Sequence, residues 1–188
     1  MSAQPVTHLT PDEYLAFERA SDIKHEYYHG DLFAMAGASY AHVLIVGNLA
    51  GELRNLLKGR GCVVVSNDLR VRVSPPGLHA YPDVVVVCGQ PQFADDQKDT
   101  LLNPIVLIEV LSPSTEAHDR GYKFAEYRKL ESLQEYVLVS QQEARIEVFT
   151  RRAAGQWMMT EFVGPETEFR LDSLECRVPL AEIYAGLT

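Results

Sequence analysis

Ile105-Val106-Leu107-Ile108-Glu109-Val110-Leu111 is an apolar run of strand length with a single carboxylate inside it. Such continuous runs belong to strands covered on both faces, in the middle of a sheet. A carboxylate held there costs several kcal/mol unless it is paired, protonated or bound to a metal ion. Desolvated acids of this kind cluster at functional sites. The competing reading of Glu109 is a structural ion pair or an outward-facing position at a sheet edge.

Working outward, Val84 to Val87 forms a second buried run, preceded by Tyr81-Pro82-Asp83. Alone, Asp83 would be ordinary, because Pro-Asp commonly opens a turn or a strand. Its weight comes from Glu109. Two acids on adjacent core strands converge to a few ångströms, where like charge disfavours an empty site and a hard cation such as Mg²⁺ finds oxygen ligands. A helix follows Ser114, spanning roughly Glu116 to Leu130, and packs on the sheet directly after the Glu109 strand. Asp119 and Lys123 stand four apart on it, a spacing that stabilises a helix with no further role. A lysine one or two turns into this helix can also reach the two acids.

The rest of the chain completes an α/β pattern. Thr10-Pro11-Asp12-Glu13 predicts a capped helix running to about Arg19. His25 to Tyr28 and Leu32 to Met35 flank a turn at His29-Gly30-Asp31, and Ser39 caps a second helix through about Lys58. Cys62 to Val65 reads as a buried strand. Leu69 to Val73 alternates strictly and sets its arginines on one face. A strand is expected at Glu135 to Ser140, a hairpin at Arg145 to Thr150 and Trp157 to Val163, and a short helix at Leu180 to Tyr184. The sum is a mixed sheet flanked by helices, with hairpins added at its ends. One domain is expected over residues 1–188, its core at about 20–150 and a C-terminal hairpin and tail at 145–188.

The 188 residues are 46% hydrophobic and 23% charged, an ordinary globular balance. No apolar run is long enough to span a bilayer, and the first seven residues lack the character of a leader. Three scattered cysteines, Cys62, Cys88 and Cys176, argue against a disulfide framework or a zinc site. A cytoplasmic address with reduced thiols is the expectation. Seventeen Lys plus Arg against twenty-six Asp plus Glu leave a net charge of −9, which sits badly with binding duplex DNA. A local basic rim from Arg70, Arg72, Arg120, Arg128 and Lys129 is one way round that obstacle.

Tyr81-Pro82-Asp83-Val84-Val85-Val86-Val87, then Ile108-Glu109-Val110-Leu111-Ser112-Pro113-Ser114-Thr115, then Asp119-Arg120-Gly121-x-Lys123 resembles the Uma-two family of restriction-endonuclease-like proteins, a branch of the PD-(D/E)XK nuclease superfamily. The likeness extends to Glu26-Tyr27-Tyr28-His29-Gly30-Asp31, His42 and Tyr127, and covers about residues 10–150. It implies a restriction-endonuclease-like core and divalent-metal-dependent hydrolysis of phosphodiester bonds, of DNA by preference. Asp83 and Glu109 would be metal ligands together with the Val110 carbonyl. Mg²⁺ or Mn²⁺ is the implied cofactor, and cutting both strands of a duplex favours a two-fold homodimer. The superfamily lysine two residues beyond the glutamate is here Leu111. Lys123, on the following helix, matches the displaced amine, and Glu26 matches an additional acid from an early element. A histidine in a first helical turn is more often a capping or packing residue, so His42 stays outside the expected catalytic set. A non-catalytic binding module, or a nuclease for small or structured nucleic acid, is the alternative.

Overall fold

Thr10 opens α1 (Pro11–Ala20) with a complete capping box, its hydroxyl accepting from the Glu13 N–H while the Glu13 carboxylate accepts from the Thr10 N–H at 2.8 Å. The computed structural model describes residues 8–187. Residues 1–7, on which the expectation of no leader rests, lie outside them. After α1 come β1 (His25–Tyr28) and β2 (Asp31–Ala34), joined by His29 and Gly30 at φ 44° and 101°. Two successive positive φ values are what a tight two-residue hairpin demands. Then follow α2 (Tyr40–Leu57), capped by Ser39, and β3 (Cys62–Ser66), β4 (Arg70–Arg72), β5 (His79–Ala80), β6 (Val84–Cys88), β7 (Thr100–Leu101) and β8 (Val106–Val110). A π-helical stretch at His118–Lys123 runs into α3 (Phe124–Tyr127). The chain closes with β9 (Glu135–Val139), β10 (Arg145–Arg151), β11 (Trp157–Val163), β12 (Glu168–Leu171), β13 (Cys176–Pro179) and α4 (Leu180–Ile183).

The main sheet has six strands in the order β11-β10-β9-β8-β6-β3. Only β8 and β9 are parallel, so the chain must cross over between them, and the 118–127 helix is that crossover. Period-2 alternation divides the core. Val84, Val86, Ile108, Val110 and Val137 lie under α2 with Phe169, Leu171, Val178 and Ile183 of the C-terminal segment. Val85, Val87, Leu107, Leu111 and Leu138 point to the other face, against Tyr127 and Tyr136. A second sheet, β2-β1-β5-β4-β7, carries the N-terminal hairpin. A mixed α/β architecture, a central mixed sheet flanked by helices, is therefore what the chain adopts.

Three features depart from the sequence expectations. The C-terminal hairpin is part of the main sheet, and residues 168–183 cover its α2 face rather than trailing from it. The Glu116–Leu130 helix is shorter and widened by the π turn, which contains Gly121. Finally, Cys62 and Cys88 face each other in register across β3 and β6 and form a disulfide, while Cys176 stays free and buried. The expectation of three reduced thiols is corrected here: the cysteines are 26 residues apart in sequence, and only the antiparallel register brings them together. No helix among the described residues is long and apolar enough to cross a membrane.

Candidate active site

The antiparallel register of β6 and β8 pairs Val84 with Ile108 and Val85 with Leu107. One further step sets Asp83 opposite Glu109, on the face shared by Val85 and Leu107, where opposed side chains are near neighbours. The Asp83 carboxylate closes this edge of the sheet: its Oδ2 accepts from the Val110 N–H at 2.7 Å and its Oδ1 lies 2.9 Å from His42 Nε2.

Lys123 comes from the crossover helix, and the π turn sits at that point. Widened turns of this kind are frequent at functional sites. Its Nζ lies 3.2 Å from Glu109 Oε1, 2.8 Å from Glu26 Oε1 and 3.2 Å from Asp119 Oδ1. The last is an ion pair without a hydrogen bond, since Asp119 Oδ1 is buried with no bonded partner. Tyr127 donates to the same Glu109 oxygen at 3.0 Å. Glu109 and Lys123 are 4% and 6% exposed, so these charges are set against each other away from bulk water. Asp83, Glu109, Lys123 and Glu26 are thus brought to one place. β1, in the second sheet, supplies Glu26, whose other oxygen is 4.0 Å from His118 Nε2.

Three carboxylates share one ammonium here, with Asp83 close by, and the proton equilibria reflect it. Burial drives the Glu109 pKa well up; Lys123 opposes, while Asp119, Asp83 and Glu26 add to the rise. Burial likewise raises Asp119, with Lys123 acting against it. Lys123 would be pushed down by burial, but Glu109, Glu26 and Asp119 outweigh that and hold it well above the usual lysine range. The His42 pKa is raised mainly by its hydrogen bond to Asp83, against the effect of burial, with the charges of Asp83 and Asp119 and the Val110 carbonyl contributing.

The comparisons with known proteins bear on the family and the fold. Residues 11–181 match the Uma2 family, described as "Putative restriction endonuclease". The chain belongs to the Uma2 family. Two relatives come from Synechocystis sp. (strain ATCC 27184 / PCC 6803 / Kazusa). "Uncharacterized protein slr1290" is 35% identical over 97% of this chain and 95% of its own length, and "Uncharacterized protein sll1609" is 32% identical over 89% and 94%. A crystal structure of "a putative nuclease belonging to DUF820" from Anabaena variabilis ATCC 29413 superposes with a TM-score of 0.77 at 17% identity, covering 94% of this chain and 98% of that one. At that identity the superposition speaks for the fold.

In this Uma2 chain the donor set suits a hard divalent cation. Asp83, Glu109 and the Val110 carbonyl offer oxygen, and the carboxylates around Lys123 outnumber its one ammonium. Among the described residues nothing hydrogen-bonds Glu109 Oε2. No three His, Cys, Asp or Glu side chains among them form a group that could hold a metal ion.

Sequence reasoning undervalued three residues. Asp119 passed as a helix-stabilising partner of Lys123, though it is buried within the cluster. His42 passed as a capping residue, though its ring is turned onto Asp83. Gln141, in the β9–β10 turn, carried no signal at all. The basic rim is corrected in part. Arg70 is buried against Tyr81, Thr100 and Asp99, Arg120 is held by Glu116 and Glu147, and Lys129 pairs with Glu126. Arg70 and Arg120 spend their charge inside the molecule, whereas Lys129 pairs at the surface.

Proposed function

We propose that this Uma2 protein is a divalent-metal-dependent endonuclease that hydrolyses phosphodiester bonds of nucleic acid. The observation that carries this reading is the convergence of part-buried Asp83, at the entry to β6, with buried Glu109 on β8 and buried Lys123 on the crossover helix. Asp83, Glu109 and the Val110 carbonyl would hold Mg²⁺ or Mn²⁺. When bound, such an ion polarises a phosphate oxygen and lowers the pKa of a water. Tyr127 keeps Glu109 in place by donating to one oxygen, which leaves the other for the ion. Lys123, held as an ammonium, cannot accept a proton at neutral pH. It acts as a hydrogen-bond donor and positive charge, orienting the attacking water or stabilising charge that builds on the phosphate. Glu26 and Asp119 fix the amine from its other sides.

DNA is the substrate this reading favours, and cutting both strands of a duplex calls for a two-fold homodimer. The internally neutralised arginines favour a second reading, in which the substrate is unpaired or structured nucleic acid that needs fewer phosphate contacts. The test is cleavage of supercoiled plasmid and of circular single-stranded DNA with Mg²⁺, Mn²⁺ or EDTA. Cleavage should need the metal and be lost in Asp83→Ala, with the preferred circle reporting the substrate. Cleavage that persists in Asp83→Ala, or that ignores EDTA, contradicts the assignment.

A further inference from the structure

Gln141 sits in the turn between β9 and β10, outside every motif that marks the family resemblance. Its Nε2 is 2.7 Å from the Leu111 carbonyl oxygen and 3.4 Å from His42 Nδ1, and its Oε1 is 2.7 Å from Ser39 Oγ. A carbonyl oxygen can only accept, so the NH2 end of the amide must face Leu111. Ser39 Oγ already accepts from the His42 N–H at 3.1 Å as the cap of α2, which leaves its own proton for Gln141 Oε1. The amide is therefore oriented from both ends, and its second N–H points at His42 Nδ1. A ring nitrogen that faces a donor must be bare. The proton of the neutral imidazole then lies on Nε2, which is 2.9 Å from Asp83 Oδ1. The circuit closes through the backbone: Leu111 follows Val110, whose N–H holds Asp83 Oδ2.

We infer that Gln141 and His42 are positioning residues for Asp83: Gln141 selects the Nε2–H tautomer of His42, and that N–H, with the Val110 N–H, fixes the rotation of the carboxylate. The tautomer of a histidine is set by what its other nitrogen bonds, and ligating carboxylates commonly depend on such outer partners. The consequence for a bound metal rests on the metal-dependent reading above, whereas the tautomer does not. Gln141 is thereby the residue through which the β9–β10 turn and the α2 cap act on the site.

Two measurements on the full chain test this. The first is the long-range proton–nitrogen spectrum of protein with ¹⁵N-labelled histidine, at a pH where the imidazoles are neutral. His42 should show a bare Nδ1 and a protonated Nε2, and Gln141→Glu, which replaces the donor by an acceptor, should put a proton on Nδ1 while Nε2 keeps its own against Asp83. A protonated Nδ1 in the wild type, or no change in Gln141→Glu, overturns the inference. The second is Mn²⁺ affinity, read from the electron paramagnetic resonance of the free ion. His42→Ala should weaken binding about tenfold, the scale on which outer partners matter. His42→Gln, whose amide can donate from the same place, should recover most of it. Equal affinity for wild type and His42→Ala overturns the positioning role. A wild type that binds no Mn²⁺ overturns the metal reading instead, and the nitrogen spectrum still decides the tautomer.

Discussion

Glu109 and Glu135 are both buried glutamates on the two central, parallel strands of one sheet, yet their surroundings could hardly differ more. Glu135, at the start of β9, is fully buried. It accepts from the Asp172 N–H at 2.8 Å, the Ser173 N–H at 3.2 Å and the Ser173 hydroxyl. Dipoles satisfy it, and it ties the 172–174 turn to the sheet. Glu109, near the end of β8, has a lysine and a tyrosine on one oxygen and three further carboxylates acting on it. Burial alone therefore does not mark function. What marks it is burial with more charge than the neighbours can neutralise.

The largest effect should come from removing the cation of that overcharged region. Lys123→Met leaves Glu109, Glu26 and Asp119 without their shared partner, and the metal-free protein should lose about 3 kcal/mol at pH 7. Denaturant unfolding would measure this, and part of the loss should return on mild acidification as Glu109 takes up a proton. A loss that acid does not reduce would mean Lys123 matters through packing instead. Glu135→Ala comes next, at about 2 kcal/mol, because it strands the donors of the 172–174 turn. Its response to Mn²⁺ in thermal melts should match the wild type, since Glu135 lies outside the charged cluster. An altered metal response there would erase the contrast between the two glutamates.

A smaller effect separates them by pH. Burial raises both pKa values above the ordinary 4.5, Glu109 much further than Glu135. A raised carboxylate pKa means the folded state holds its proton more tightly than the unfolded chain. The stabilising contribution is then complete below 4.5 and is lost as pH rises through the folded value. Compared with Glu109→Gln, which carries no charge, the wild type should lose stability steadily as pH rises above about 4.5. Against Glu135→Gln the loss should end at lower pH. Identical pH profiles for the two pairs would contradict the different charge environments.

These contrasts also show what the sequence could reveal. The two apolar runs and the single acid in Ile105–Leu111 were legible because a two-sided strand tolerates so few polar residues, and the capping box and hairpin turn were legible because their signals are local. Glu135 precedes an equally apolar run, Tyr136-Val137-Leu138-Val139, so the cost of burial would have picked it as readily as Glu109. Its solution lies 37 residues away in the 172–174 turn. Gln141 and His42 are 99 residues apart, and Cys62 meets Cys88 only through strand register. Arg70 and Arg120 looked like surface charge because their partners arrive from other elements. Lys123 and Asp83 drew most of their weight from the resemblance; adjacent strands and the following helix allowed them to meet without requiring it.

The central claim is that Glu109 belongs to a cation-binding centre rather than to a structural ion pair. Thermal melts of wild type and Glu109→Gln, each with EDTA and with Mn²⁺, address it most directly. The substitution removes one of the four crowded carboxylate charges and nearly keeps the shape. The metal-free variant should therefore melt at or above the wild type, within about 1 kcal/mol of equal stability. Mn²⁺ should raise the wild-type melting temperature by preferential binding to the folded state, and the variant's far less. A variant that is strongly destabilised without metal, beside a wild type that does not respond to Mn²⁺, would make Glu109 a structural residue and contradict the account.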